Sequence, residues 1–77
     1  MNARQRSTLA SLARSHGFRL SGEFLYDRPG WPPNRARICH VHDPVATMDV
    51  LTRDRGGSAP GSVVAELRRV NGPQPTG

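Results

Sequence analysis

The spacing of apolar residues changes at Gly17, and this change limits the possible fold more than any other feature of the sequence. Before Gly17, the least polar side chains recur three or four positions apart, as on one face of a helix, at Leu9, Leu12, Ala13 and His16. Glycine also suits the left-handed position that follows many helix ends. The helical segment runs from Asn2 to His16, and within it we predict the helix over residues 7–16, with Ser7 as its N-cap and residues 1–6 as a loose basic arm.

After Gly17 the period becomes two, which indicates a half-buried strand over residues 18–26. On this pattern the apolar face of the strand carries Phe18, Leu20, Phe24 and Tyr26. Residues 27–34 contain three prolines and predict a long hairpin loop. The alternation resumes over residues 35–42, with Ile38, His40 and His42 on one face and Cys39 and Val41 on the other.

The segment 43–55 fits two structures. Asp43 and Pro44 are typical of a helix start, whereas residues 47–52 are rich in strand formers and alternate in polarity. We expect a turn followed by a third strand. Ser58 then caps a predicted helix over residues 59–70, whose inward stripe is Val63, Val64, Leu67 and Val70.

The resulting order is helix, strand, strand, strand, helix. It predicts a small α+β domain over residues 1–72, in which two helices cover one face of a three-stranded antiparallel sheet, and a disordered tail over residues 73–77. A chain of 77 residues with 35% hydrophobic residues can build only one thin core, so a homodimer or another partner would add stability. The predicted core consists of Leu9, Leu12, Phe18, Leu20, Phe24, Ile38, Val63, Leu67 and Val70.

This order of elements is also that of double-stranded RNA-binding domains and of the HicA-type toxins of bacterial toxin–antitoxin systems. Leu12–Phe18 resembles the end of the first helix of the HicA-type family, and Tyr26–Arg35 looks like its proline-containing hairpin. Pro60–Gly72 resembles its closing helix. The resemblance implies an RNA-facing protein with an antitoxin-like protein partner.

The motif that carries catalysis in HicA-type toxins is missing. Those toxins have a Gly-Ser-His motif on the first strand, and the corresponding positions here are Ser21, Gly22 and Glu23. An exposed glutamate is ionised and repels phosphate, so Glu23 is a poor substitute for the histidine. The resemblance therefore favours an RNA-facing fold over a nuclease, and a HicA-like ribonuclease is the third possibility.

The positive charge of the chain is carried by arginine alone. All 11 basic residues are arginines against 6 acidic residues, which gives a net charge of +5. Arginine is suited to phosphate, although the codon bias of a GC-rich genome produces the same composition. We predict a nucleic-acid-binding module, with RNA as the expected ligand, whose binding residues are Arg28, Trp31, Arg35 and Arg37 on the hairpin and Arg68 and Arg69 on the last helix. Alternatively, these arginines pair with the chain's own acidic residues on a solvated surface.

His40 and His42 are the remaining candidates for chemistry. Two positions apart on a strand, they share one face, and we expect them to contact phosphate or support the structure. Together with Glu23, they are the secondary candidates for site residues. A catalytic zinc needs three protein ligands, and Cys39 points to the opposite face, so only Asp43 or His16 could complete a zinc site. We expect no metal and no cofactor. Cys39 itself is interpreted as a small buried hydrophobe.

A protein partner is the alternative to nucleic acid. In that hypothesis the chain is a small phage-encoded or accessory protein that modulates a host protein by docking the basic, Trp31-containing hairpin on an acidic surface. The single cysteine and the lack of a signal peptide favour the cytoplasm. No apolar run reaches the roughly 20 residues of a membrane span, so no membrane association is expected.

Overall fold

A computed structural model of the chain describes residues 1–27, 37–54 and 60–73. The elements are, in order, α1 (Ala3–Ser15), β1 (Arg19–Ser21), β2 (Phe24–Tyr26), β3 (Arg37–His40), α2 (Pro44–Arg53) and α3 (Pro60–Asn71). The strands form one antiparallel sheet in the order β1-β2-β3. The predicted α+β class with a three-stranded antiparallel sheet is confirmed, but two of its elements are not the predicted ones.

Helix α1 begins four residues earlier than predicted, because Asn2 caps it. The Asn2 side-chain oxygen accepts a hydrogen bond from the Gln5 amide at 2.8 Å, and the Gln5 side-chain oxygen accepts one from the Asn2 amide at 3.1 Å. This reciprocal pair satisfies two backbone donors at the helix start. The predicted N-cap at Ser7 and the loose arm over residues 1–6 are therefore wrong. The helix ends as predicted, with Gly17 at φ +78°.

The predicted single strand 18–26 is a hairpin. Gly22, at φ +61°, and Glu23 form a two-residue turn between β1 and β2, so Ser21 lies opposite Phe24 and Leu20 opposite Leu25. In a continuous strand Leu20 and Leu25 would point to opposite faces, whereas opposite residues of a hairpin share a face. Leu25 is consequently buried and Phe24 lies outside the core, which corrects the predicted core assignment of Phe24.

Strand β3 contains a bulge that buries two successive residues. Leu25 lies opposite Cys39, but Tyr26 lies opposite Arg37, which leaves Ile38 as the additional residue of β3. Ile38 and Cys39 are exposed by only 4% and 1%. The predicted alternation of these two residues between faces is wrong for this reason.

The third predicted strand is helix α2. The Asp43 carboxylate accepts a hydrogen bond from the Ala46 amide at 3.0 Å, and Pro44 occupies the first turn. Thr47, Val50 and Leu51 then bury one face at helical spacing. The cap and this spacing outweigh the strand propensity of residues 47–52, so the predicted strand is wrong, and the β1-β2 hairpin supplies the missing strand instead.

The core lies between the sheet and the helices. Helix α1 packs against β1, α3 packs against β3, and α2 packs against both other helices. The imidazole Nε2 of His16 donates to the Leu51 carbonyl at 2.8 Å and so joins α1 to α2. The buried apolar residues form one cluster of Leu9, Ala13, Phe18, Leu25, Ile38, Cys39, Val41, Val50, Leu51, Val63 and Leu67.

Most of the predicted core is confirmed. Of the nine residues predicted, five are buried, three pack against the cluster and are partly buried (Leu12, Leu20 and Val70), and Phe24 lies elsewhere. No helix in the described ranges has the length and apolar character needed to cross a membrane. The predicted Ser58 cap and residues 74–77 of the predicted tail lie outside the described residues.

We predict that Leu67→Ala strongly lowers the melting temperature of the protein. Leu67 is fully buried in α3, and truncating such a side chain costs about 2–4 kcal/mol, a large part of the stability of a small domain. Thermal denaturation followed by circular dichroism measures the loss. Val45→Ala on α2 is the matched control, because Val45 is 62% exposed and its truncation should leave the melting temperature nearly unchanged. Equal melting of both variants would contradict the assignment of Leu67 to the core.

Candidate functional site on the outer face of the sheet

The sheet has a face that points away from the helices, which we call the outer face. The strand register places two rows of opposite residues on it, Arg19 with Tyr26 and Arg37, and Ser21 with Phe24 and His40. The residues of the intervening row, among them Leu25 and Cys39, belong to the core instead. The outer face thus carries the polar and aromatic side chains of the sheet.

Phe24 is the centre of the outer face. The Arg37 guanidinium carbon lies 4.3 Å from the centroid of the Phe24 ring, and the His40 ring meets the same ring edge-on at 4.8 Å between centroids. A cation over an aromatic face is held by the negative potential of the ring. Phe24 is half-buried by these neighbours, whereas Arg37 remains exposed. The exposed guanidinium therefore lies on top of an aromatic support.

Glu23, His40 and His42 form a hydrogen-bonded chain beside Phe24. His40 Nε2 lies 3.3 Å from Glu23 Oε1, and His40 Nδ1 lies 3.0 Å from His42 Nε2. With neutral imidazoles, His40 donates to the carboxylate through Nε2 and accepts from His42 through Nδ1. The prediction that His40 and His42 share a face is confirmed, and the hairpin turn brings Glu23 to them. Such a chain can bind an anion or relay a proton.

Asn71, at the end of α3, fixes the backbone that carries His42. Its side-chain oxygen accepts hydrogen bonds from the His42 amide at 2.9 Å and the Asp43 amide at 3.0 Å. Its side-chain nitrogen donates to the Leu67 carbonyl at 2.8 Å and to the Thr47 hydroxyl at 2.9 Å. The residue is only 4% exposed. No local pattern indicates this role, because an asparagine before a glycine is typical of a helix end.

The two predicted arginines of the last helix already have partners. Arg68 Nε donates to the Ile38 carbonyl in the β3 bulge at 2.8 Å. Arg69 pairs with Glu66 one turn earlier, and this hydrogen bond lowers the pKa of Glu66 and raises that of Arg69. Arg68 therefore supports the strand that carries Arg37 and His40, and Arg69 is partly neutralised.

Of the predicted binding residues on the hairpin, only Arg37 lies in the described part of the chain. Arg28, Trp31 and Arg35 lie outside the described residues. The structure brings Arg37 together with all three secondary candidates, Glu23, His40 and His42. Sequence reasoning missed Phe24 as a site residue, because it assigned this side chain to the core.

Cys39 lies on the core side of β3, opposite the histidines. Burial raises the pKa of its thiol to about 11, against an ordinary value of 9.0, although the nearby Arg68 charge acts in the other direction. The thiol is therefore protonated at neutral pH and packs as a hydrophobic residue. Within residues 1–27, 37–54 and 60–73, no group of three histidine, cysteine or acidic side chains could hold a metal ion.

Comparisons with protein-family models, with curated proteins and with solved structures found no match for this chain. The site must therefore be interpreted from its own geometry.

We predict that Asn71→Ala destabilises the protein by about 2–4 kcal/mol, because it removes the acceptor of two backbone amides in a buried setting. Asn2→Ala is the matched control, since Asn2 makes a similar cap at the exposed end of α1 and its loss should cost only about 1 kcal/mol. Urea denaturation of both variants gives the comparison. If Asn71→Ala is no more costly than Asn2→Ala, the buried network does not fix the β3-α2 connection.

We also predict that the protein loses stability as the pH rises from about 9 to about 11. The folded thiol of Cys39 has the raised pKa, so the unfolded chain releases the proton first and gains stability relative to the folded state in this range. A rise of two pKa units corresponds to about 2–3 kcal/mol. Urea denaturation across this pH range, compared with Cys39→Ala, isolates the thiol contribution because all other groups titrate in both proteins. Parallel pH profiles would contradict the prediction.

Proposed function

We propose that the chain is a nucleic-acid-binding module that holds single-stranded RNA on the outer face of its sheet. The observation that carries this proposal is the stack of the Arg37 guanidinium on the Phe24 ring, with the His40 ring at the ring edge. The net charge of +5 adds a general attraction to phosphate.

The stack explains how a base would be bound. A guanidinium plane supported by an aromatic ring is a platform on which an unpaired base can lie, with cation and ring both contributing. The donors at the edge of the guanidinium remain available to a phosphate oxygen. Arg19 in the same row of the outer face provides a second cation for the backbone.

The size of the outer face favours a single strand over a duplex. Within residues 1–27 and 37–54, the strands contain three or four residues each, which suits one or two splayed bases. The two imidazoles next to Phe24 can donate to or accept from a ribose 2′-hydroxyl, which is the group that distinguishes RNA from DNA. These features support RNA as the expected ligand.

Glu23 orients the histidines rather than binding the ligand. Its carboxylate accepts from His40, which leaves the imidazole chain in one arrangement. General acid–base cleavage of RNA needs a base and an acid at opposite ends of the reacting phosphate. The two histidines here hydrogen-bond each other, so we expect binding without cleavage.

The protein-partner alternative rests on the Trp31 hairpin, which lies outside the described residues, and it stays a prediction. The resemblance to HicA-type toxins likewise stays a prediction, as does the ribonuclease activity it would imply.

The test is a fluorescence-anisotropy titration of short single-stranded RNA and DNA at several salt concentrations. Arg37→Ala should reduce the slope of log affinity against log salt by about one unit, because one phosphate contact is lost. Arg37→Lys should keep the slope and weaken binding by about 1 kcal/mol or more, because the charge stays but the stacking plane is lost. Gel analysis of the bound RNA should show it intact.

Arg53→Ala is the matched control. Arg53 carries the same charge, but it lies on α2 and pairs with Asp49 at 3.1 Å, so its loss should leave the slope unchanged. Equal effects of Arg37→Ala and Arg53→Ala would show that binding depends on net charge alone. The outer face would then not be the binding site. If neither RNA nor DNA binds more tightly than roughly 100 μM, the proposed function is wrong.

A further inference from the structure

A second surface lies at the edge of the sheet, between α1 and β1. It is an open groove of about 390 Å³ lined by Ala10, Arg14, Gly17, Phe18, Arg19 and Leu20. Of these residues only Arg19 belongs to the outer face. We call this surface the edge groove.

The edge groove runs along backbone that can still pair with another strand. The sheet order makes β1 an edge strand in the described part of the chain. Ser21 and Phe24 close a two-residue turn, which makes them a hydrogen-bonded pair. The two kinds of pair alternate along an antiparallel ladder, so the next pair, Leu20 and Leu25, is a non-hydrogen-bonded pair. The N–H and C=O of Leu20 therefore point outward from the edge.

The side chains of the edge groove combine an apolar floor with a basic rim. The apolar floor consists of Phe18, which is almost fully buried, and Leu20, which is half-buried. Both side chains belong to the edge of the hydrophobic core. Arg14 and Arg19 are both exposed, and within the described residues neither forms an ion pair with an acidic side chain. Two unpaired cations beside an apolar floor favour a ligand that is both apolar and acidic.

We propose that β1 binds an extended peptide segment of a partner protein, which adds a strand to the sheet. Its backbone pairs with the N–H and C=O of Leu20, and one apolar side chain packs on the floor. Alternate residues of a strand point to opposite faces, so an acidic residue next to the apolar one reaches Arg19 on the outer face, and a second acidic residue two positions from the apolar one, on the helix side, reaches Arg14. The consensus is therefore an apolar residue with one adjacent acidic residue and a second acidic residue two positions away. This proposal does not rest on the proposed RNA site, although Arg19 belongs to both surfaces.

Other occupants fit the edge groove less well. A second copy of the chain would bring another net charge of +5 and another pair of arginines to the same edge. A nucleic acid would satisfy the arginines, but it has no strand-like array of alternating donors and acceptors for Leu20. An acidic peptide satisfies the cations, the apolar floor and the backbone together.

The test is selection of random peptides on the full-length protein, followed by amide NMR. Peptides displayed on phage are enriched on the immobilised protein, and the best peptide is synthesised and added to isotope-labelled protein. We expect the enriched peptides to share an apolar residue with one adjacent acidic residue and a second acidic residue two positions away. We expect the bound peptide to slow hydrogen exchange of the Leu20 amide at least about tenfold, because that amide becomes hydrogen-bonded.

Two double variants test how much the basic rim, Arg14 and Arg19, contributes to peptide binding. Arg14→Ala with Arg19→Ala should weaken binding of the selected peptide about tenfold, as expected for two lost charge contacts of about 0.7 kcal/mol each. Arg4→Ala with Arg53→Ala removes the same charge from exposed positions that do not line the edge groove and should bind as the unmodified protein does. Circular dichroism confirms that both fold.

Several results would overturn the proposal. They are failure to enrich any peptide, enrichment of peptides without acidic residues, and equal binding by the two double variants. Protection of the Leu20 amide by RNA instead of peptide would assign the edge groove to nucleic acid. Protection that rises with protein concentration alone would assign it to a second copy of the chain.

Discussion

The hydrogen bonds of the Asn71 side chain are the constraint on which the arrangement of the site depends. They join the end of α3 to the first residues after β3 and to Thr47 on α2. The chain leaves the sheet at this point, and its two backbone amides would otherwise lack acceptors. Because the amides of His42 and Asp43 are held, the His42 side chain is directed to His40 and the Asp43 carboxylate is free to cap α2. One buried amide thus positions both a helix and a member of the candidate site.

Two irregularities of the sheet determine which side chains form the candidate site. The Gly22-Glu23 turn reverses the chain within a segment whose polarity alternates up to Phe24, and this sends Leu25 to the core and Phe24 to the outer face. The bulge at Ile38 then lets β3 bury two successive residues while Arg37 and His40 stay on the outer face. A thin core thus gains an additional buried side chain, and the aromatic ring is left for a cation and a ligand.

The sequence supported the class of fold, the end of α1, most of the core and the shared face of His40 and His42, because each depends on spacing within one element. It failed where two local signals competed. The alternation of polar and apolar residues continued across Gly22, so periodicity could not locate the turn. The strand propensity of residues 47–52 masked the helix that Asp43 caps. The platform formed by Phe24 and Arg37 depends on the register between strands, and Asn71 depends on contacts with residues more than 20 positions away. Neither is visible in local sequence.

The position of Arg19 connects the two proposed surfaces. It lies in the same row of the sheet as Arg37, and it also lines the edge groove beside β1. A peptide that engages Arg19 with a carboxylate would remove one cation from the outer face, and RNA that engages it would remove one from the edge groove. Since the two ligands draw on the same charge, each should weaken binding of the other by an equal factor. A domain with a single thin core can in this way link an RNA ligand to a protein partner without a change of fold.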